Sequence, residues 1–272
     1  MKKIILSMLL ITLVFTLSAC TNKDEDDNVL KVGMDLSYPP FEMVDSDGNA
    51  DGLSVEVAKA LAEYLGMEVE IVNLPFGSLI TELETEGIDI IIGSMSITDG
   101  RKEKINFSDP YFYFPLISVM NKEFASNYTL NTYQDLFDIT DEVIYTAPQG
   151  FVTLAAAEEN AVNPVLNFVE STQQALLEVV SGTSDVFIIS ASSAAGYYEK
   201  NPETLTLLLD PISVSPIGMG LRKGDTELLA KVNEFIAMMD DEGGVYDDLR
   251  AKYDAIIGAG LPGETLDYYI YE

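Results

Sequence analysis

The chain has 272 residues, with 15 basic and 45 acidic side chains, no histidine and one cysteine, for a formal net charge of -30. The missing histidine removes Ser-His-Asp and Cys-His nucleophile pairs, histidine-ligated zinc and the commonest general base at neutral pH, and a lone cysteine rules out an intrachain disulfide. So acidic a surface would repel phosphate backbones, so no nucleic acid partner is expected, and an anionic ligand would need a local basic anchor.

The first residues read as an export signal, with Lys2 and Lys3 ahead of an apolar run from Ile4 to Leu17 that is short for a membrane span. Leu17-Ser18-Ala19-Cys20 resembles the bacterial lipobox, in which the cysteine is lipidated before cleavage; the alternative is an ordinary signal peptide that happens to carry a cysteine. Residues 1-19 are therefore read as a lipoprotein signal peptide, Cys20 as the lipidation site and 20-28 as an acidic, flexible tether. Two acyl chains on Cys20 would tether the protein to a membrane rather than thread it through one. Losing Lys2 and Lys3 from the 15 basic groups leaves 13 against 45 acidic ones, a mature charge of about -32.

Val29 to Met34 reads as a first strand, and Pro39-Pro40 predicts an extended loop after it. Asp45 to Asn49 is a turn cluster, and Val57, Leu61, Tyr64 and Leu65 then recur at helical spacing, with Ser54 as the expected cap and Gly66 as the stop. Glu68 to Val72 alternates like a strand, Leu79 to Glu86 reads as a helix, and Ile88 to Gly93 as a buried strand. In a mostly parallel layered sheet, ligands lie at the carboxyl ends of strands, where Asp35, Gly93, Ser94 and Ser96 are expected.

The same grammar follows a second time. Strands are predicted from Leu116 to Met120, Val143 to Ala147 and Asp185 to Ile189, with helices from Thr153 to Asn160 and from Thr172 to Val180. Past Asp210-Pro211 come a strand from Ser215 to Leu221 and a helix from Thr226 to Met239, while the tail 255-272 shows no legible role. Two α/β lobes are the natural reading. Asp45, Asp47, Asn49, Asp51 and Glu56 occupy ligand places of an EF-hand-like loop, yet Ala50 stands where that loop needs glycine, so no metal site is assigned.

Asp35-Leu36-Ser37-Tyr38-Pro39-Pro40-Phe41, Gly52 to Ala58, Asp89 to Thr98, Arg101, Phe107-Ser108-Asp109-Pro110-Tyr111, Gln149-Gly150 and Gly218 to Asp225 occur in one order along the chain. Together they resemble the family 3 extracellular solute-binding proteins, the polar amino acid receptors of bacterial ABC importers, from about residue 29 to 253. The resemblance implies a type II periplasmic-binding-protein-like α/β fold, two lobes joined by two crossover strands and closing like a hinge. The first lobe would take residues 29-117 and 215-272, and the second 118-214.

It also implies a site. Arg101 would grip a ligand carboxylate with both prongs of its guanidinium, beside donors from Gly93, Ser94, Ser96 and Thr98. Tyr38 and Phe76 would wall the ligand side chain, Asp35 would face the cleft, and Gly150, Phe151 and Val152 would open the second-lobe helix. Plainer alternatives pair Arg101 with Asp99 or Glu103, pack Phe76 with Pro75 and Leu79, and make Asp35 a turn residue.

Two positions depart from the family pattern. Ser190 stands where the family has an aspartate for the ligand α-ammonium, and Phe151 and Val152 replace the usual hydroxyl residue after Gly150. Asp35 or Glu170 would have to supply the lost charge, or else the ligand lacks an ammonium, is larger, or binds elsewhere. The expected function is a cofactor-free, monomeric, lipid-anchored receptor on the extracytoplasmic face of the cell membrane. It would pass an amino acid or related small carboxylate to an ABC permease whose ATPase is a separate chain, since no Lys-Ser/Thr phosphate loop is present. The alternatives are a cyclohexadienyl-dehydratase-like enzyme using Asp35, Glu56 or Glu170, and an orphan ligand sensor.

Overall fold

A computed structural model describes residues 28-148 and 152-270. The signal peptide, Cys20, nearly all of the tether, Gly150 and Phe151 lie outside the described residues. Among the described residues no helix is long and apolar enough to cross a membrane.

The described residues form ten strands: β1 (Val29–Met34), β2 (Met43–Val44), β3 (Ala50–Asp51), β4 (Glu68–Asn73), β5 (Ile90–Ile91), β6 (Asn106–Asn121), β7 (Val143–Pro148), β8 (Pro164–Val169), β9 (Val186–Ser190) and β10 (Leu205–Leu221). Eight of them form one sheet of order β4-β1-β5-β10-β6-β9-β7-β8, and β2 and β3 make a small separate hairpin. β1 lies parallel to β4 and β5, and β7 parallel to β8 and β9. These two parallel groups are stitched together by the antiparallel pair β6 and β10.

That pair is long enough to serve both groups. Asn106 to Phe114 matches Ser215 to Leu221 beside β5, whereas Ser118 to Asn121 matches Leu205 to Leu208 beside β9, and the register breaks between Leu208 and Ser213. The chain thus forms two α/β lobes joined by two crossover strands. Sequence periodicity predicts only Leu116 to Met120 and Ser215 to Leu221 of this pair, because Pro110, Pro115 and Pro211 look like strand breakers. The structure tolerates them where one side of the strand has no neighbour or where the ladder is irregular, since a missing N–H costs little there.

Pro39-Pro40 does not lead into an extended loop. The pair sits in a compact turn closed by a bridge between Tyr38 and Glu42, with hydrogen bonds of 2.8 and 2.9 Å running both ways. The helix Leu53–Leu65 buries Val57, Ala58 and Leu61 and stops at Gly66 in the left-handed region, as the spacing predicts. Its cap, however, is Gly52 and not Ser54. Gly52 has φ 122°, and a Cβ there would stand 2.3 Å from the Phe41 carbonyl oxygen, so only glycine fits. Ser54 lies two residues further on, within the first turn, fully buried, with its hydroxyl turned toward Glu42.

The tail has a place in the fold that its sequence did not disclose. After the helix Val245–Gly260, Leu261, Leu266 and Tyr269 are buried, and the Tyr268 hydroxyl donates to the Leu209 carbonyl at 2.5 Å, inside the irregular stretch of β10. The Tyr269 ring meets Phe41 edge-on at 5.0 Å and Phe114 at 5.7 Å. Phe114 in turn stacks on Tyr38, so the tail backs an aromatic column that ends at the carboxyl edge of the sheet. Removing a buried aromatic costs about 3–5 kcal/mol. Tyr269→Ala is therefore expected to lower Tm by roughly 10 °C in a chain of this size, measured by calorimetry, whereas Tyr64→Ala on the exposed face should move it far less.

Candidate functional site

The carboxyl ends of β1 and β5 turn toward the start of the helix that follows β9, and between them lies a cavity of about 330 Å³. Seven of the residues singled out in the sequence form its wall: Asp35, Tyr38, Phe76, Gly93, Ser94, Ser96 and Ser190. Thr98 and Arg101 do not line it, and Glu170 is exposed elsewhere. Gly150 and Phe151 lie outside the described residues, and Val152 opens the helix Val152–Asn160.

Arg101 stands immediately behind the wall. Its Nη1 donates to the Ser96 carbonyl at 2.8 Å, and the guanidinium carbon sits 5.2 Å from the centre of the Phe76 ring. Both partners face the cavity. Among the described residues Arg101 makes no ion pair with either Asp99 or Glu103, and Asp99 instead lies 3.6 Å from Lys102. Partial burial lowers its pKa, but a guanidinium remains charged throughout the physiological range. A half-buried cation with most of its donors uncommitted, in a chain this acidic, is poised for an anion. Thr98 holds the arrangement by capping the short helix Asp99–Lys102, its Oγ1 accepting from the Arg101 backbone N–H at 3.4 Å.

Phe76 is exposed rather than packed into the core, so its ring is free to serve as a wall and as the face on which Arg101 rests. Asp35 combines both of its expected roles. One oxygen accepts from the Phe76 N–H at 2.9 Å and the other from the Ser37 hydroxyl at 2.5 Å, while the group still lines the cavity. On the opposite side Ser190 belongs to a hydroxyl cluster. Tyr38 Oη meets Ser190 Oγ at 2.7 Å and also contacts Ser192, and Ser190 reaches Ser193 at 3.1 Å. A phenol carried after β1 thus bridges to serines at the end of β9, spanning the two parallel groups of strands.

Sequence reasoning missed Ser37, Glu42, Phe114, Leu116 and Ser215 on the wall. Glu42 matters most. Only 1% exposed, it takes a short hydrogen bond from the Ser54 hydroxyl, and Ser94 Oγ lies 2.9 and 2.8 Å from its two oxygens. Burial pushes its carboxyl up to about 8, against the opposing pull of the two serines, and the Asp35 charge adds to the rise. Ser94 holds φ 49°, a left-handed conformation that a non-glycine residue adopts at some cost, and this turn brings its hydroxyl onto Glu42. A signal was available in the sequence. Ser54, on the same helix face as Val57 and Leu61, is a polar residue on an apolar stripe, and such a residue needs a buried partner. Asp51 and Glu56, weighed as metal ligands, are instead held by Lys252 at 3.0 and 3.1 Å.

The wall carries two carboxyls, several hydroxyls and apolar surface, with its one adjacent cation behind Ser96 and Phe76. Carboxyl and hydroxyl acceptors thus line the same cavity against which the guanidinium stands.

Comparison with known proteins identifies the family. The family described as bacterial extracellular solute-binding proteins, family 3, matches residues 30–255. The arginine-binding extracellular protein ArtP of Bacillus subtilis is 28% identical over 265 residues, covering 93% of this chain and 98% of that protein. A binding component of an ABC transporter from Wolinella succinogenes, solved with lysine, superposes with a TM-score of 0.68 at 29% identity, covering 83% of this chain and 95% of the other. An ancestral amino acid-binding protein described as a precursor of cyclohexadienyl dehydratase gives 0.62 at 33% identity with the same coverage, 83% and 95%.

The Glu42 carboxyl has a folded-state pKa of about 8 against an ordinary value of 4.5, so its contribution to stability is whole below pH 4.5 and is lost as pH rises to about 8. Within that window each pH unit should cost up to about 1.4 kcal/mol. Denaturant titrations of ligand-free protein from pH 4 to 9 are expected to show this slope, and Glu42→Gln to flatten it. A parallel profile for the variant would contradict the assignment.

Proposed function

We propose a receptor role on one premise: the chain belongs to the bacterial extracellular solute-binding proteins, family 3. In this reading it captures an amino acid or a related small carboxylate between its lobes and delivers it to the permease of an ABC importer. The first lobe takes residues 29-117 and 215-272 and the second 118-214, with the change of lobe falling on the long strands β6 and β10. One observation carries the reading. The cavity is walled from both groups of strands, with Asp35, Ser94 and Ser96 on one side and Ser190 on the other, and an unpaired arginine stands against it.

Arg101 anchors the ligand carboxylate in this account. A small rotation of the guanidinium about its bond to Ser96 presents two parallel N–H groups to the cavity, the geometry that favours arginine over lysine for carboxylates. Ser96 and Gly93 contribute polar groups nearby, and Tyr38 and Phe76 form the aromatic sides. Lobe closure brings Ser190 and the helix beginning at Val152 to the other face of the ligand. The bridge from Tyr38 to Ser190 and Ser192 is the contact that such closure forms.

Cys20 is the proposed attachment site, holding the receptor on the extracytoplasmic face of the membrane, and a separate ATPase drives transport. The protein acts as a monomer and as a binder. Cyclohexadienyl dehydratase activity is the competing reading that its structural neighbours raise, and incubation with prephenate or arogenate discriminates it: consumption of either by purified protein would overturn the receptor role.

Screening the common L-amino acids by thermal unfolding is expected to raise Tm for at least one of them by mass action. Arg101→Ala should weaken that ligand by about 30-fold or more, because truncating one partner of a hydrogen-bonded charge pair costs about 2 kcal/mol or more. Arg101→Lys should recover only part of the loss. Unchanged affinity in Arg101→Ala would remove the carboxylate anchor from the account.

A further inference from the structure

Glu42 is the deepest ionisable group on the cavity wall, and the carboxylate anchor at Arg101 gives it no work. Its surroundings define what it can do. Ser54 and Ser94 both direct hydroxyls onto the carboxyl, and among the described residues no lysine or arginine reaches it. Two titratable groups face it: the Asp35 carboxyl, which disfavours its ionisation, and the Tyr111 hydroxyl, buried without a hydrogen-bond partner and held neutral by that burial. A cation entering the cavity is the missing counter-charge.

Ser94 supplies the route. Its single hydroxyl proton is directed at Glu42, so the lone pairs on Ser94 Oγ are left to accept from a donor inside the cavity. Ser94 is two residues from Ser96, whose carbonyl holds Arg101. The ammonium and carboxylate of an α-amino acid share one carbon, so a carboxylate gripped at Arg101 places the ammonium within the reach of this same loop. Asp35, the other carboxyl on the wall, is tied by its two hydrogen bonds to the Phe76 N–H and the Ser37 hydroxyl, on the side of the ring against which Arg101 rests.

We infer that Glu42, acting through the Ser94 hydroxyl, is the residue that selects a ligand α-ammonium in this cavity. It is a positioning residue, with Ser94 making the direct contact. The inference rests on the receptor reading and deepens it. Its carboxyl is largely protonated in the empty site at pH 7, and an ammonium at Ser94 stabilises the ionised form, so the proton leaves to solvent as the ligand binds. The α-ammonium of a free amino acid stays charged at this pH and releases nothing.

The test is calorimetric titration at pH 7 with the common L-amino acids other than histidine, each in two buffers of different ionisation enthalpy. The best ligand is then compared with the same acid lacking its α-amino group. Binding of the amino acid should release about one proton, and its affinity should rise up to tenfold per pH unit between pH 6 and 8. The deaminated acid should release almost none. In Glu42→Gln the proton release and the pH dependence should vanish while preference for the amino acid over the deaminated acid falls tenfold or more; a variant that merely loosened the fold would weaken both ligands alike. The proton count on the wild-type chain decides the matter even if that variant fails to fold. Tight binding of an amino acid without proton release, or equal release by the deaminated acid, overturns the role of Glu42 and leaves the receptor standing. Binding by the deaminated acids but by no amino acid overturns the role of Glu42 alone, and no binding by either class overturns both.

Discussion

The antiparallel pairing of β6 with β10 is the constraint on which everything else depends. Each strand is long enough to belong to both groups of parallel strands, so two α/β units that have no other sheet contact are carried on one ladder. Where the register breaks between Leu208 and Ser213, the ladder hydrogen bonds lapse, and there the Tyr268 hydroxyl takes hold of the Leu209 carbonyl. A ladder paired at both ends, with its longest break between Leu208 and Ser213, is the place for relative motion of the lobes, since few bonds have to deform. The C-terminal tail reinforces that middle from behind through Tyr269, Phe41 and Phe114.

From this frame the cavity acquires two opposing walls. Parallel strands deliver Asp35, Gly93, Ser94 and Ser96 at their carboxyl ends on one side, and β9 delivers Ser190 on the other. Charge is arranged within it rather than averaged over the surface. A chain with a net charge of -30 keeps one uncommitted guanidinium at the back of the site, and on the same wall buries a carboxyl whose hydrogen-bond partners are hydroxyls. In a medium of low dielectric both groups are costly alone, and a zwitterionic ligand relieves both at once. The same reasoning accounts for the serine at position 190: with Glu42 on the wall, the second lobe can contribute a hydroxyl clasp on Tyr38 in place of a charge.

Much of this was legible in the sequence, and the rest fails for identifiable reasons. Local signals are faithful where a few neighbours decide the outcome, as for the helix that ends at Gly66. The long strands were read too short, because a proline's cost depends on whether a neighbour needs its N–H, which is a property of the sheet. Ser54 was read as a cap because serine favours that position, and Gly52 takes it because the Phe41 carbonyl leaves no room for a side chain. Glu42 looked like one of many surface carboxylates, since its burial arises only when the Tyr38–Glu42 turn, the Ser94 turn and the helix starting at Leu53 converge. The tail was opaque for the same reason. Its aromatic residues acquire meaning from Phe41 and Phe114, far away in sequence.

The central claim is that the cavity holds a zwitterion by its two charged ends, the carboxylate at Arg101 and the ammonium at Ser94 in front of Glu42. A crystal structure with the tightest-binding L-amino acid tests it most directly. The account predicts a bidentate contact from Arg101 to the ligand carboxylate and a hydrogen bond from the ligand nitrogen to Ser94 Oγ. A ligand nitrogen lodged against the second lobe, away from Ser94, or a carboxylate out of reach of Arg101, would contradict it.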